Sequence, residues 1–237
     1  MELLEYSDGE TALQAAVAYS AADRAPAVLI AHAWAGRGGP EHSVAKRLAE
    51  LGYVGIAIDV FGKGVAGDPA GDNTHLISPW LSDREALLRR LQAAVTFARQ
   101  LDRVDSSAVA AIGYCFGGLC VLDLARGSTE GLAGVVSLHG MLDGNSLSHP
   151  APIGAKVLVE HGWLDPLAPP EKVLAFADEM KGRKADWQFH AHGNAMHAFS
   201  SEGANSPENG IAYNADADRR SWISTVSFLA ELFGKAA

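Results

Sequence analysis

One short stretch limits the folds open to this chain more than any other. Residues 109–112 are Val-Ala-Ala-Ile, a continuous apolar run of the kind found in a strand buried on both faces. The run enters Gly113-Tyr114-Cys115-Phe116-Gly117-Gly118 and then an apolar pattern with helical spacing. A chain that passes from strand to helix in so few residues turns sharply. The central residue is strained, and its neighbours two positions away must be small. Gly113 and Gly117 meet that need around Cys115, and Gly118 allows close helix–strand packing. The turn also sets Cys115 at a helix N-terminus, where the dipole and free N–H groups favour thiolate over thiol. A strand-end cysteine alone is more often a buried structural residue. The flanking glycines shift the balance toward a nucleophile.

The rest of the chain alternates strands with helices. An Asp8-Gly9 turn predicts an opening hairpin. Residues 27–31 and 54–58 read as buried strands, with a helix over 40–51 between them. A loop rich in Gly and Asp runs from Gly62 to about Leu81, long enough to suggest a lid or binding element. Ser82 and Glu85 fit a capping box that opens a long helix. Further strands are predicted at 134–138, 156–159 and 186–190, with helices from Pro169-Pro170 to Gly182 and over 216–233. This pattern predicts an α/β chain with a mostly parallel, doubly wound sheet. The 237 residues suit a single domain spanning 1–237.

Bulk properties narrow the partners. The net charge of −9 repels nucleic acid and anionic membrane. No apolar run nears the roughly 18 residues that cross a bilayer, and the acidic start Met1-Glu2-Leu3-Leu4-Glu5 does not read as a signal peptide. Cys115 and Cys120 lie roughly 7.5 Å apart along a helix, too far for a disulfide. Two free thiols predict a cytoplasmic protein.

A nucleophile needs a base, and the base an orienting acid. Asp165 follows the strand at 156–159, in Glu160-His161-Gly162-Trp163-Leu164-Asp165-Pro166. His197 follows the strand that ends near His192, in Met196-His197-Ala198-Phe199. Each alone reads equally as an ordinary loop residue. The order Cys115, Asp165, His197, each at the carboxyl edge of a strand, fits the nucleophile–acid–histidine order of a catalytic triad. The backbone N–H groups of Phe116 and Trp34 are the expected oxyanion donors. Glu160 is the next candidate for the acid. His190 and His192 share a strand face, but no third zinc ligand has a sensible spacing, so neither a metal nor a cofactor is expected. His32, Ala33 and Arg84 are candidate substrate contacts, and Arg84 reads either as a ligand for a substrate carboxylate or as part of a solvated helix face.

Together the G-Y-C-F-G-G turn, the G-W-L-D-P loop and the M-H-A-F loop resemble the dienelactone hydrolase family over residues 28–233. The resemblance implies an α/β-hydrolase fold without a large cap and a Cys115–His197–Asp165 triad acting on small esters, lactones or thioesters. Acyl transfer on the same triad, or redox sensing by Cys115, are the alternative readings. The chain departs from the family pattern at Ala33, where the family carries glutamate, and lacks an arginine just after the histidine. Both departures imply an altered substrate site.

Overall fold

The computed structural model describes residues 1–144, 147 and 151–234. Its main sheet contains β1 (Glu2–Asp8), β2 (Thr11–Ala18), β3 (Ala25–Ala31), β4 (Val54–Ala57), β5 (Val104–Tyr114), β6 (Leu132–Leu138), β7 (Lys156–Gly162) and β8 (Trp187–His192). The helices are α1 (Gly39–Glu50), α2 (Thr74–Ser82), α3 (Arg84–Arg99), α4 (Phe116–Arg126), α5 (Pro170–Gly182) and α6 (Ala215–Leu232). The strand order is β1-β2-β4-β3-β5-β6-β7-β8. The predicted β1–β2 hairpin is antiparallel, β2 meets β4 antiparallel, and the other pairings of this sheet are parallel.

Alternation along β3 explains why its sequence is apolar throughout. Ala27, Leu29 and Ala31 join the core beneath α3, α4 and α5. Val28 and Ile30 join the core beneath α1 and α6. Helices on both faces therefore demand apolar side chains at successive positions. Each fully buried Leu or Ile contributes about 1.5–3 kcal/mol.

The turn after β5 has the predicted geometry. Cys115 has φ 56° and ψ −115°, a conformation that costs on the order of 1–3 kcal/mol in a residue with a side chain. A β-carbon on Gly113 would stand 2.0 Å from the Gly117 carbonyl oxygen, and one on Gly117 would stand 2.1 Å from that of Ala31. The two glycines thus let α4 rest directly on the ends of β5 and β3.

Three expectations change. The second half of the predicted 62–81 loop is helical, as α2. Ile77, Trp80 and Leu81 of this helix pack against the core. Helix α3 is capped by Asp83, whose carboxylate accepts from the Ala86 N–H, and not by Ser82, which ends α2. Arg84 does not face a substrate. It is 4% exposed, and its Nε and Nη2 donate to the carboxylate of Asp123 on α4. Nη2 also donates to the Asp143 carbonyl at 3.1 Å. Asp123 is fully buried and is shared with Arg126, which in turn pairs with Glu179 of α5.

Two outcomes follow from this packing. Gly117→Ala, though favourable by helix propensity alone, is expected to lose about 3 kcal/mol by overpacking. That corresponds to a Tm lower by roughly 6–12 °C in a chain of this size. Gly193→Ala, with open space around its β-carbon, serves as the control and should leave Tm unchanged. Equal Tm values for the two variants would refute the close approach. Arg84→Ala leaves the buried Asp123 carboxylate only its 3.4 Å contact with Arg126 and should cost about 3 kcal/mol in urea unfolding, while Arg84→Met with Asp123→Leu recovers most of that loss. A wild-type urea midpoint in Arg84→Ala, with KM raised for anionic esters alone, would return Arg84 to the substrate.

Candidate active site

The site is built at the carboxyl edge of the sheet, where open α/β sheets place their ligands. Cys115 bridges β5 and α4, and its N–H donates to the Leu138 carbonyl at the end of β6. The side chain is partly exposed. The Gly118 and Leu119 N–H groups turn back to the Cys115 carbonyl. Among the described residues the Phe116 N–H has no protein acceptor, so it remains available above the thiol.

Beside it lies the loop after β3. His32 is fully buried. Its Nδ1 donates to the Ala33 carbonyl at 2.7 Å, and its Nε2 accepts from the Val60 N–H at 3.2 Å. The Val60 donor fixes this tautomer, and burial lowers the pKa, so the ring stays neutral. His32 is therefore a pin between two loops, with its ring against Phe61, and not the substrate contact expected from sequence. Ala33 and Trp34 are half-buried, in a turn closed by the Gly36 N–H donating to the Ala33 carbonyl. Among the described residues the Trp34 N–H also has no protein acceptor. The long loop reaches this turn, since the Gly67 N–H donates to the Ala35 carbonyl.

Asp165 follows β7 in a tight turn, its N–H donating to the Gly162 carbonyl. One carboxylate oxygen accepts from the Leu167 N–H at 2.8 Å, and the other accepts from His197 Nδ1 at 2.8 Å. His197 follows β8 and is held through its backbone. Its N–H donates to Gly210 and its carbonyl accepts from Ala212, in the short β9 (Asn205–Ser206)–β10 (Ile211–Ala212) hairpin region. His197 Nε2 lies 3.1 Å from Cys115 Sγ. Burial opposes a charge on His197. The hydrogen bonds that His197 makes with the Asp165 carboxylate and with Cys115 outweigh it, and the pKa is pushed up to about 10.

The remaining candidates fall outside this chain of contacts. Glu160 is fully buried, and its carboxylate accepts from His190 Nδ1 at 2.9 Å and His192 Nε2 at 2.8 Å. It is thus occupied away from His197, and the two histidines that share a strand face hold a carboxylate. No cluster suited to a metal ion occurs among the described residues. Cys120 is buried in α4, and burial raises its thiol pKa well above the usual range. The sequence reading missed His139, just past β6, and Ser200. Both close on the site from sequence positions 61 residues apart. The only prior signal was that His139 follows a predicted strand.

Comparison with known proteins identifies the family and the fold. Residues 13–233 match the model of the dienelactone hydrolase family. An uncharacterised protein of Caenorhabditis elegans, K02A2.1, is 38% identical over 165 residues, 64% of this chain and 98% of its own. A probable 2-oxo-3-(5-oxofuran-2-ylidene)propanoate lactonase of Bradyrhizobium is 25% identical over 87% of this chain and 84% of its own. Among solved structures, the dienelactone hydrolase-like promiscuous phosphotriesterase P91 from metagenomic libraries superposes with a TM-score of 0.92 at 35% identity, covering 98% of both chains. The mostly parallel eight-stranded sheet, flanked by helices and carrying no large cap, is the α/β-hydrolase fold, and the chain belongs to the dienelactone hydrolase family of ester- and lactone-acting hydrolases.

Proposed function

We propose that this protein is a cysteine hydrolase of small, neutral esters and lactones, working through Cys115, His197 and Asp165. The observation that carries the reading is the unbroken contact series from the thiol through the imidazole to a buried carboxylate, 3.1 Å and 2.8 Å. Asp165 fixes the imidazole with Nδ1–H inward, which turns Nε2 toward the thiol. His197 takes the Cys115 proton, and the thiolate attacks the carbonyl carbon. The carbonyl oxygen becomes an oxyanion held by the Phe116 and Trp34 N–H groups. The imidazolium protonates the departing alkoxide, leaving a thioester on Cys115. His197 then removes a proton from water, the hydroxide attacks the thioester, and the acid leaves as the thiol is restored.

A neutral substrate fits the charges around the site. Arg84 is committed to Asp123, and Arg90 to Asp8 and the Val60 carbonyl. Ala33 stands where the family pattern has a glutamate, so that position offers no acid to compete for the thiol. The Bradyrhizobium relative is named for a lactone and P91 for phosphotriesters, which makes both classes worth including in a substrate panel. We further read residues 1–237 as one catalytic domain. Both described cysteines are free thiols, which supports a cytoplasmic setting, and no described helix is long and apolar enough to cross a membrane.

The test is a panel of p-nitrophenyl esters, a five-membered lactone and a phosphate triester. Wild type should cleave neutral esters without any carboxylate on the substrate. Cys115→Ala should lower kcat by at least about three orders of magnitude, and Cys120→Ala should leave it unchanged. An active Cys115→Ala enzyme would remove the thiol from the mechanism. The pH dependence of iodoacetamide alkylation examines the resting pair. With the His197 pKa raised and Nε2 3.1 Å from Sγ, wild type should be alkylated at lower pH than His197→Ala. Superimposable curves would mean that no ion pair exists before substrate binds.

A further inference from the structure

His139 is not part of the contact series, yet its surroundings tie it to the series from several sides. It is the first residue after β6 and has φ 39°, a left-handed backbone that is uncommon outside glycine. Such a conformation persists only where neighbours enforce it. The His139 N–H donates to the Glu160 carbonyl at 2.8 Å. The next residue, Gly140, lies so close to the elbow helix that a β-carbon on it would stand 2.8 Å from Gly118 Cα. The backbone of His139 is thus fixed against both β7 and α4.

The ring is 3% exposed and stands edge-on to His197, with centroids 5.3 Å apart and planes at 72°. Phe199 is edge-on to it at 5.1 Å, and Tyr114 lies at 6.0 Å. Nε2 hydrogen-bonds with the Ser200 hydroxyl at 2.8 Å, and Nδ1 has no protein partner among the described residues. Burial, and the charge on nearby His197, push the His139 pKa well down, so it does not place a second cation beside the imidazolium. Ser200 is three residues beyond His197, in a segment where Ala198 also has positive φ, at 56°.

We propose that His139 and Ser200 form a positioning pair for His197. The neutral His139 ring is the wall against which the base lies, and its bond to Ser200 ties the base loop to the elbow scaffold. His197 must keep two hydrogen bonds at once, to Asp165 and to Cys115, and must later present the same Nε2 to water. The loop is also tied to the Asp165 turn, through the Leu164 N–H on the Ala195 carbonyl, and to Asn214, whose N–H donates to the Phe199 carbonyl, but neither tie reaches the elbow that carries Cys115. The His139–Ser200 bond spans from the β6 end, which also holds the Cys115 N–H through Leu138. One strand end thereby references both nucleophile and base.

This inference rests on the roles proposed above for Cys115 and His197, and the test separates the two. Ser200→Ala removes the tie but leaves the His139 ring in place. His139→Asn keeps a side chain that tolerates positive φ. Ser200→Thr keeps the hydroxyl. Each is measured for kcat and KM on p-nitrophenyl acetate, for the pH dependence of Cys115 alkylation, and for Tm. Ser200→Ala and His139→Asn should lose about 10- to 100-fold in kcat with KM within about twofold, and the alkylation curve should move toward that of His197→Ala. Ser200→Thr should restore both. Wild-type kcat and alkylation in folded Ser200→Ala would overturn the proposal. So would a lower Tm with an unmoved alkylation curve, or a rise confined to KM. A wild-type protein that cleaves no ester and alkylates like free cysteine would overturn the triad reading together with this one.

Discussion

Everything at the carboxyl edge of the sheet depends on one backbone-to-backbone contact. The start of α4 rests on the end of β3, with room for hydrogen at Gly117 and for nothing larger, since a β-carbon there meets the Ala31 and His32 carbonyls. That approach sets the Phe116 amide beside the turn carrying Trp34. It also forces Cys115 into its strained conformation, because a relaxed backbone at that residue would lift the helix away. The strain is held by packing that lies elsewhere: Phe116 is fully buried, and every residue of α4 is buried with it. A site whose donors cost no reorganisation must be paid for by its scaffold.

Behind the elbow a polar network anchors the same helix. Asp123 of α4 meets Arg84 of α3, while Arg126 meets Glu179 of α5 and the carbonyls of Leu142 and Asp143. Buried ion pairs contribute little net stability against apolar residues of the same size. Their geometry is specific, however. A carboxylate inside the core accepts only a few arrangements of its guanidinium partners, so α3, α4 and α5 are held in one mutual register.

Most of the fold and the main contact series were legible in the sequence because they depend on local pattern. Continuous apolar runs reported strands buried on both faces, and Cys115 and Asp165 each followed such a run, while His197 followed the half-exposed edge strand β8. What could not be read depends on contacts between distant positions. Arg84 looked like a solvated residue on a helix or a ligand for substrate, and only its meeting with Asp123, 39 residues later, makes it a core residue. His32 offered two free nitrogens on paper, and both are consumed by backbone groups. The Gly- and Asp-rich composition of 62–73 masked the helix beyond it, which carries Pro79 in its interior and is held by Ile77, Trp80 and Leu81 against the core. His139 and Ser200 carried no motif at all, since their pairing exists only once β6 and the base loop are side by side.

The buried Glu160 has a consequence for how the sheet closes. Strand β8 is its last member, paired on one side only. A strand paired on one side could re-form its ladder one residue out of register, and such a slip would turn each side chain to the opposite face. Here a slip would carry His190 and His192 away and leave a carboxylate alone in an apolar interior. The two histidines act as a key that admits β8 in a single alignment. His197 begins five residues beyond that strand, so the alignment of an edge strand decides whether the base arrives opposite the thiol.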